Sequence, residues 1–279
     1  MKSSRRIIIN ADDIGMHPTI DAATLLLAEY GIVTSASLMV LARPDRISIN
    51  TFKEFKTDLG LHLDFTSMAA NTRYRTSHDI SSMILWTHCR RMDAEQIRSI
   101  IREQLDRFCT MVGEPPQFID GHEHVHQLPM VRSALIDVLV EQNLTQRIYV
   151  RNPISRRCRG NKAALIGRLG AVAMEKQMTS LGLRCNTDFF GVYDFRKKVD
   201  LANLWHRWLS SVSGDGALAM CHPAAATSRT IGDTQSLPFR LSEFKFLSSL
   251  QFQELLARHA IEPACWRKAL ASAQNNICV

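Results

Sequence analysis

Ile7-Ile8-Ile9-Asn10-Ala11-Asp12-Asp13-Ile14-Gly15 is a β-branched apolar run that ends abruptly in two adjacent carboxylates and a glycine. A short, continuous apolar run of this kind reads as a buried parallel strand, covered by other elements on both faces. It delivers Asp12 and Asp13 at its C-terminal end. Three other stretches share this grammar. Leu59-Gly60-Leu61-His62-Leu63-Asp64-Phe65 alternates apolar and polar residues around one histidine. Asp120-Gly121-His122-Glu123-His124-Val125-His126 packs three imidazoles and two carboxylates into seven residues. Read as the end of an extended segment, it places His122, His124 and His126 on one face. Ala217-Leu218-Ala219-Met220-Cys221-His222-Pro223 is an apolar run that ends in histidine and is stopped by proline. Four strand-like runs that each end in Asp or His fit an α/β fold, a distorted (β/α) barrel. In such barrels the chemistry gathers at the C-terminal ends of the strands.

Each run also has a plainer reading. Adjacent aspartates occur as helix caps in solvated turns, a lone histidine on an alternating strand is commonly a satisfied core residue, and a histidine-rich segment can be a polar loop. Convergence favours chemistry over these. Imidazoles grouped on one face suggest a metal. Of two neighbouring acids, one can ligate the ion while the other takes a proton from the nucleophile.

The remainder alternates as a β/α protein should. Pro18 to Tyr30 has a helical pattern, with Ile20, Ala23, Leu26 and Leu27 on one face and Gly31 at its end. Ile32 to Val40 reads as a strand. Asp93 with Gln96 forms a capping-box-like start. Ile97, Ile100, Ile101, Leu105 and Phe108 follow at helical spacing up to Gly113. Pro129 suits the first turn of the next helix, and Arg147 to Arg151 reads as a strand. Helices are expected over residues 161–181, 199–212 and 241–259. Residues 66–92 read as an irregular, polar loop or lid over the site, and residues 152–160 and 185–197 as further loops there; substrate choice is expected in such loops.

The ordered set Asn-Ala-Asp-Asp-x-Gly (10–15), Gly-Ile-Val-Thr-Ser-Ala-Ser-Leu-Met-Val (31–40), Gly-Leu-His-Leu (60–63), Asp-Gly-His-x-His-Val-His (120–126) and Cys-His-Pro (221–223) resembles the YdjC-like carbohydrate deacetylases, a group that includes chitooligosaccharide and hopanoid-associated deacetylases. The resemblance implies a single catalytic domain over residues 1–279 with a distorted β/α barrel like that of the polysaccharide deacetylases. It implies hydrolysis of an N-acetyl group from an amino sugar, with an N-acetylated sugar or glycolipid as substrate. By the same resemblance Asp12 matches the catalytic base, and Asp13, His62 and His122 match the ligands of one divalent metal. His222 matches the general acid. His124 and His126 match positions behind the ligands or beside the substrate, and Arg151 matches an arginine that orients the base or contacts substrate. Zinc or magnesium suits a mixed oxygen and nitrogen site, and nickel, cobalt and manganese are also admitted. Two departures bear on substrate: Ile14 stands where phenylalanine is common, and Asp64-Phe65-Thr66-Ser67 stands where many members carry Thr-Glu-Gly. Two rival readings are a metal-dependent phosphoesterase and a carbohydrate-binding protein with a relic site.

Composition bounds the rest. The chain has 279 residues, 46% of them hydrophobic, which suffices for one large core. No apolar run reaches the roughly 20 residues that span a bilayer. The basic start Met1-Lys2-Ser3-Ser4-Arg5-Arg6 meets Asp12 too soon to leave room for a signal peptide, so a cytoplasmic location is expected. Seven cysteines (89, 109, 158, 185, 221, 265 and 278) without a CxxC pair read as reduced thiols. Cys221 beside His222 suggests a nucleophile only until the alternation of a strand is applied, which turns the thiol into the core. The 34 basic and 27 acidic residues give a net charge of +7, with clusters at Arg90-Arg91, Arg156-Arg157-Cys158-Arg159 and Arg196-Lys197-Lys198. A solvated basic face is the first reading, and peripheral contact with an anionic membrane surface is a minor one. No nucleic-acid recognition motif accompanies the charge. The resemblance admits a homodimer, with no interface legible in the residues.

Overall fold

Nine strands form one sheet among the residues that the computed structural model describes (4–42, 44, 46–157, 160–195, 199–226 and 237–271). They are β1 (Arg5–Ile14), β2 (Ser35–Leu38), β3 (Asp58–Leu63), β4 (Phe118–Gly121), β5 (Tyr149–Val150), β6 (Arg184–Cys185), β7 (Phe189–Phe190), β8 (Ala217–Cys221) and β9 (Ile261–Pro263). Every pairing is parallel, in the order β6-β5-β4-β3-β2-β1-β8-β7, with β9 beside the first residues of β1. The two edge strands β6 and β7 are consecutive in the chain. The few residues between them can span only about 14 Å, so the sheet must curl round on itself into a distorted barrel. Asn186 stitches this seam. Its side chain accepts from the Asn152 N–H at 2.7 Å and donates to the carbonyls of Asn152 at 2.8 Å and Asp188 at 2.9 Å.

Strand alternation divides the interior into two cores. Ile7, Ile9 and Ala11 of β1 and Ala217, Ala219 and Cys221 of β8 belong to the large core shared with the surrounding helices. Ile8, Phe118, Tyr149, Phe189, Leu218 and Met220 belong to a second core with Trp266, Ala269 and Leu270 of the last helix, Trp266–Leu270. Trp266 stacks on Phe118 at 5.2 Å and on Tyr149 at 5.5 Å, which plugs the N-terminal end of the barrel. Two residues further along each strand the same inward row turns polar: Ile8 gives way to Asn10 and Asp12, Phe118 to Asp120, Tyr149 to Arg151. All four of these polar residues are buried.

The helix Pro18–Glu29 follows the expected pattern, except that Leu26 is exposed to 40%. Ile32 and Val33 donate to the Leu27 carbonyl and so close that helix, which is why the strand expected over 32–40 is reduced to β2. The helix Ala94–Val112 is capped by the Asp93 carboxylate, which accepts from the N–H groups of Glu95 and Gln96, and it ends at Gly113 in the left-handed region. Pro129 opens the helix Pro129–Glu141.

Several expectations are corrected. Residues 66–92 are not irregular: they form the helices Met68–Tyr74 and Ile80–His88, started by Ser67 and by a reciprocal Asp79–Ser82 capping box. Both helices are short, seven and nine residues, so neither is long enough to set up a clear helical period. The helix expected over 161–181 is broken into Asn161–Ile166 and Val172–Ser180 by a wide turn at Gly167–Ala171, where Gly170 has φ 155°. The helix expected over 241–259 is two helices, Leu237–Leu247 and Leu250–Arg258, because the Ser249 hydroxyl accepts from the Phe252 N–H and starts a new one. The strand expected over 147–151 is only β5, since Arg147 and Ile148 donate to the Leu144 carbonyl, although the Arg151 N–H still reaches the Ile119 carbonyl at 3.0 Å. The described cysteines 89, 109, 185, 221 and 265 are free thiols. Cys158, Cys278, Arg159 and the Arg196-Lys197-Lys198 cluster lie outside the described residues. No helix among the described residues is long and apolar enough to cross a membrane.

Candidate active site

β1 does not end as a regular strand. Its register with β2 shifts between Ala11 and Ile14, and Asp13 takes φ 69°. In an unbroken strand Asp12 and Asp13 would face opposite sides. The left-handed residue turns the second carboxylate back, so both reach the same cavity, and Asp is among the few residues that tolerate that conformation. The cavity holds about 1120 Å³ and is lined by Asp12, Asp13, His62, His122, His124 and His222.

The expected common face of His122, His124 and His126 does not exist. β4 stops at Gly121, and His122–Gln127 forms a tight turn with left-handed backbone at Glu123 (φ 52°) and His124 (φ 61°). A turn of this kind cancels the two-residue alternation. His122 Nδ1 reaches Asp13 Oδ1 at 3.0 Å. His124 lines the cavity with its ring edge-on to Phe189 at 5.6 Å. His126 lies wholly inside, its Nε2 3.1 Å from the Arg151 carbonyl oxygen. Burial holds His124 well below the usual imidazole range and His126 at about 4. Both rings are therefore neutral at pH 7.

Asp13, His62 and His122 each offer one ligand atom, and these atoms all lie within 4.8 Å of one another. His62 Nε2 is 3.5 Å from Asp13 Oδ1. Its other nitrogen, Nδ1, is 2.6 Å from Asp120 Oδ1. A carboxylate behind a histidine fixes the tautomer that leaves the opposite nitrogen free for a metal. Two imidazole nitrogens and one carboxylate oxygen are a donor set that suits a divalent ion, so the residues present fit the group. Burial opposes charge on His62, but Asp120 outweighs it, with help from Asp13 and Asp12, and pushes its pKa up to about 10.

Beside the triad, Asp12 is held by Arg151 through two parallel contacts, Nη1 to Oδ2 at 2.7 Å and Nη2 to Oδ1 at 2.6 Å. Arg151 is fully buried and also touches Asp120 Oδ2 at 2.5 Å. It therefore orients Asp12 and does not line the cavity. Asn10 donates to Asp12 Oδ1 at 2.7 Å and to the Ser37 hydroxyl at 2.8 Å, and Ser37 donates to Asp120 Oδ2 at 2.6 Å. This mesh ties β1, β2, β4 and the end of β5 together beneath the site. Burial works against the Asp12 charge, but Arg151 overcomes it and keeps the carboxyl far below the usual range. Asp13 is likewise depressed, burial being outweighed by Arg240 and His122.

His222 follows β8 directly, with Nε2 3.9 Å from Asp12 Oδ2. Phe195 sits edge-on to its ring at 5.3 Å. Burial lowers its pKa to about 4. Cys221 points the other way into the helix-facing core, and burial raises its thiol well above the usual range, so it is no nucleophile. The loops after β5 and β7 reach the cavity through Gly160 and through Val192, Tyr193 and Phe195, and Ile80 lines it from the helix Ile80–His88. Sequence reading missed Asp120 and Ser37 as supports, although both stood in quoted motifs. It also missed Arg240 and Glu243, which carry no local signal.

A family profile described as YdjC-like protein matches residues 6–258 of the chain. The chain is similar to a carbohydrate deacetylase of Clostridium beijerinckii, 23% identical over 261 residues, with 92% of this chain and 97% of that one covered. It is also similar to a chitooligosaccharide deacetylase of Serratia marcescens, 23% identical over 260 residues, covering 90% and 94%. Among solved structures it resembles one from Enterococcus faecalis V583 that is provisionally assigned to cellobiose-phosphate cleavage. The TM-score is 0.70 at 19% identity, with 95% of this chain and 99% of that one covered. At that identity the likeness speaks to the fold alone, which is the same.

Proposed function

The chain belongs to the YdjC-like protein family, and we propose that it is a metal-dependent hydrolase that removes the N-acetyl group from an amino sugar, with residues 1–279 acting as one catalytic domain. The observation that carries this reading is the convergence of Asp13, His62 and His122 beside an Asp12 clamped by Arg151. The names of the similar proteins support the substrate class, an acetylated carbohydrate.

Asp13, His62 and His122 would hold one divalent ion, which when bound supplies an acidified water and a polarised acetamide carbonyl. The rest falls to the chain. Asp12, kept anionic by Arg151, takes a proton from the attacking water as the new C–O bond forms. The C–N bond then breaks, and the nitrogen departs with a proton. His222 is neutral at rest, so it acts as acid only after receiving one. Its Nε2 lies 3.9 Å from Asp12 Oδ2, which gives the proton taken by Asp12 a path to the leaving amine. His124 edges the same cavity, which supports a contact with the sugar.

The test is acetate release from N-acetylglucosamine, chitobiose, longer chito-oligomers and an N-acetylglucosaminyl lipid, with and without divalent metal, for wild type and Asp12→Asn. Metal-dependent release that falls by about 10²–10⁴-fold in the variant is expected. Unchanged turnover in Asp12→Asn would assign the base elsewhere. Phosphate release from phosphate esters, with no acetate from any member of the panel, would replace the reading with a phosphoesterase.

A further inference from the structure

The ligands and proton carriers considered so far sit at or just beyond strand ends. One helix outside the sheet, Leu237–Leu247, touches both halves of the site. Arg240 Nη2 meets Asp13 Oδ2 at 2.5 Å, with the Arg240 side chain only 8% exposed. One turn later Glu243, 2% exposed, accepts from the His222 N–H at 2.5 Å and from the Tyr193 hydroxyl at 2.8 Å. Phe239 of the same helix stacks on Phe195 at 4.2 Å, and its ring lies 6.2 Å from that of His222. The Arg240 carbonyl accepts from the Ala224 N–H, two residues past His222.

We propose that this helix is the positioning element of the site: Arg240 aims the Asp13 carboxylate and Glu243 fixes His222. The Arg240 half rests on the metal reading given above. A carboxylate with one oxygen held by a guanidinium presents the other alone. Here Oδ2 is held by Arg240, while Oδ1 faces His122 Nδ1 at 3.0 Å and His62 Nε2 at 3.5 Å. Asp13 is thereby set up to offer a single oxygen to an ion. Glu243 answers a different need. β8 ends at Cys221 and proline follows His222, so no strand ladder continues to hold the His222 backbone. The Glu243 carboxylate takes the place of that ladder and keeps the imidazole beside Asp12. Arg240 and Glu243 are three residues apart on one rigid helix, so the spacing of ligand and acid is set by a single element.

The experiment titrates zinc and magnesium into wild type, Arg240→Ala, Arg240→Lys, Glu243→Ala and Glu243→Gln by calorimetry, with acetate kinetics alongside. Arg240→Ala is expected to lose about ten- to a hundredfold in metal affinity, and Arg240→Lys to recover part of it. Glu243→Ala is expected to keep wild-type metal affinity and KM while kcat drops up to about a hundredfold, with Glu243→Gln in between. Equal or tighter metal binding by Arg240→Ala, or undiminished kcat in Glu243→Ala, would overturn the assignment. The lysine and glutamine variants preserve buried volume and remain readable should the alanine variants misfold. If wild type binds metal yet releases no acetate, the deacetylase reading fails while the titration still decides Arg240. Glu243 is then read from the NMR shift of the His222 ring, which is expected to move in Glu243→Ala and, if unmoved, refutes its role.

Discussion

Arg151 is the residue on which most of the site's charge balance turns. Its buried guanidinium serves Asp12 with both ends and Asp120 as well. Removing one partner of a buried ion pair leaves the other uncompensated, at a cost of about 3–5 kcal/mol. Arg151→Ala is expected to lose that much stability in urea denaturation. It also acts on chemistry. Arg151 is what overcomes burial to depress Asp12, so its loss raises the Asp12 pKa and shifts the acid limb of the kcat/KM profile to higher pH. An unmoved limb in a folded variant would show that Asp12 is not the titrating base. Asp12, Asp13, His62, His122 and His222 were legible because they stand at or near the ends of apolar runs and fall in motifs that resemble those of the deacetylases. Arg240 was not: it meets Asp13 across 227 positions of chain, and no motif surrounds it in the sequence.

At the scale of elements, left-handed backbone at strand ends reorients what simple periodicity would place elsewhere. The turns at Asp13 and at Glu123-His124 each defeat the two-residue rule. The break in the helical stretch 161–180 is of the same kind. Gly170 has φ 155°, and a Cβ there would lie 2.1 Å from the Gln127 carbonyl oxygen and 3.0 Å from Arg132 Nη1. Gly170→Ala therefore forces the histidine-rich turn away from this helix. A loss of about 1–3 kcal/mol is expected, together with a raised KM, since Gln127 and Leu128 line the cavity. Denaturation and Michaelis kinetics check the two parts separately. Wild-type KM in the destabilised variant would place the substrate away from that wall.

For the whole molecule, the plugged end of the barrel matters as much as the open one. Trp266 is fully buried between Phe118 and Tyr149. Trp266→Ala is expected to cost about 3–5 kcal/mol, measured by thermal or urea unfolding, without direct contact with the site. Asp58, at the start of β3, accepts from the Trp266 N–H at 2.7 Å and so ties the sheet to this plug. Burial raises the Asp58 pKa from 3.8 to about 6. The native chain then holds this proton over a range where the unfolded chain has released it. The Asp58 contribution is therefore fully present below pH 3.8 and is lost as pH rises through about 6. Asp58→Asn, which keeps the acceptor oxygen, is expected to flatten that part of the stability profile. A slope between pH 4 and 6 identical to wild type would count against the assignment.

The sequence by itself determined that apolar runs alternate with helices, that these runs carry Asp or His at their C-terminal ends, and that Cys221 and His222 face opposite sides, the thiol in the core. Those are consequences of local periodicity, which follows from backbone geometry alone. Tertiary structure decided the rest. It placed Asp120 behind His62, clamped Asp12 with Arg151, separated His122 from His124 and His126, and brought in the helix bearing Arg240 and Glu243. Each of these depends on contacts between residues far apart in the chain, or on a left-handed backbone held by its surroundings, and neither leaves a period in the sequence for the eye to find.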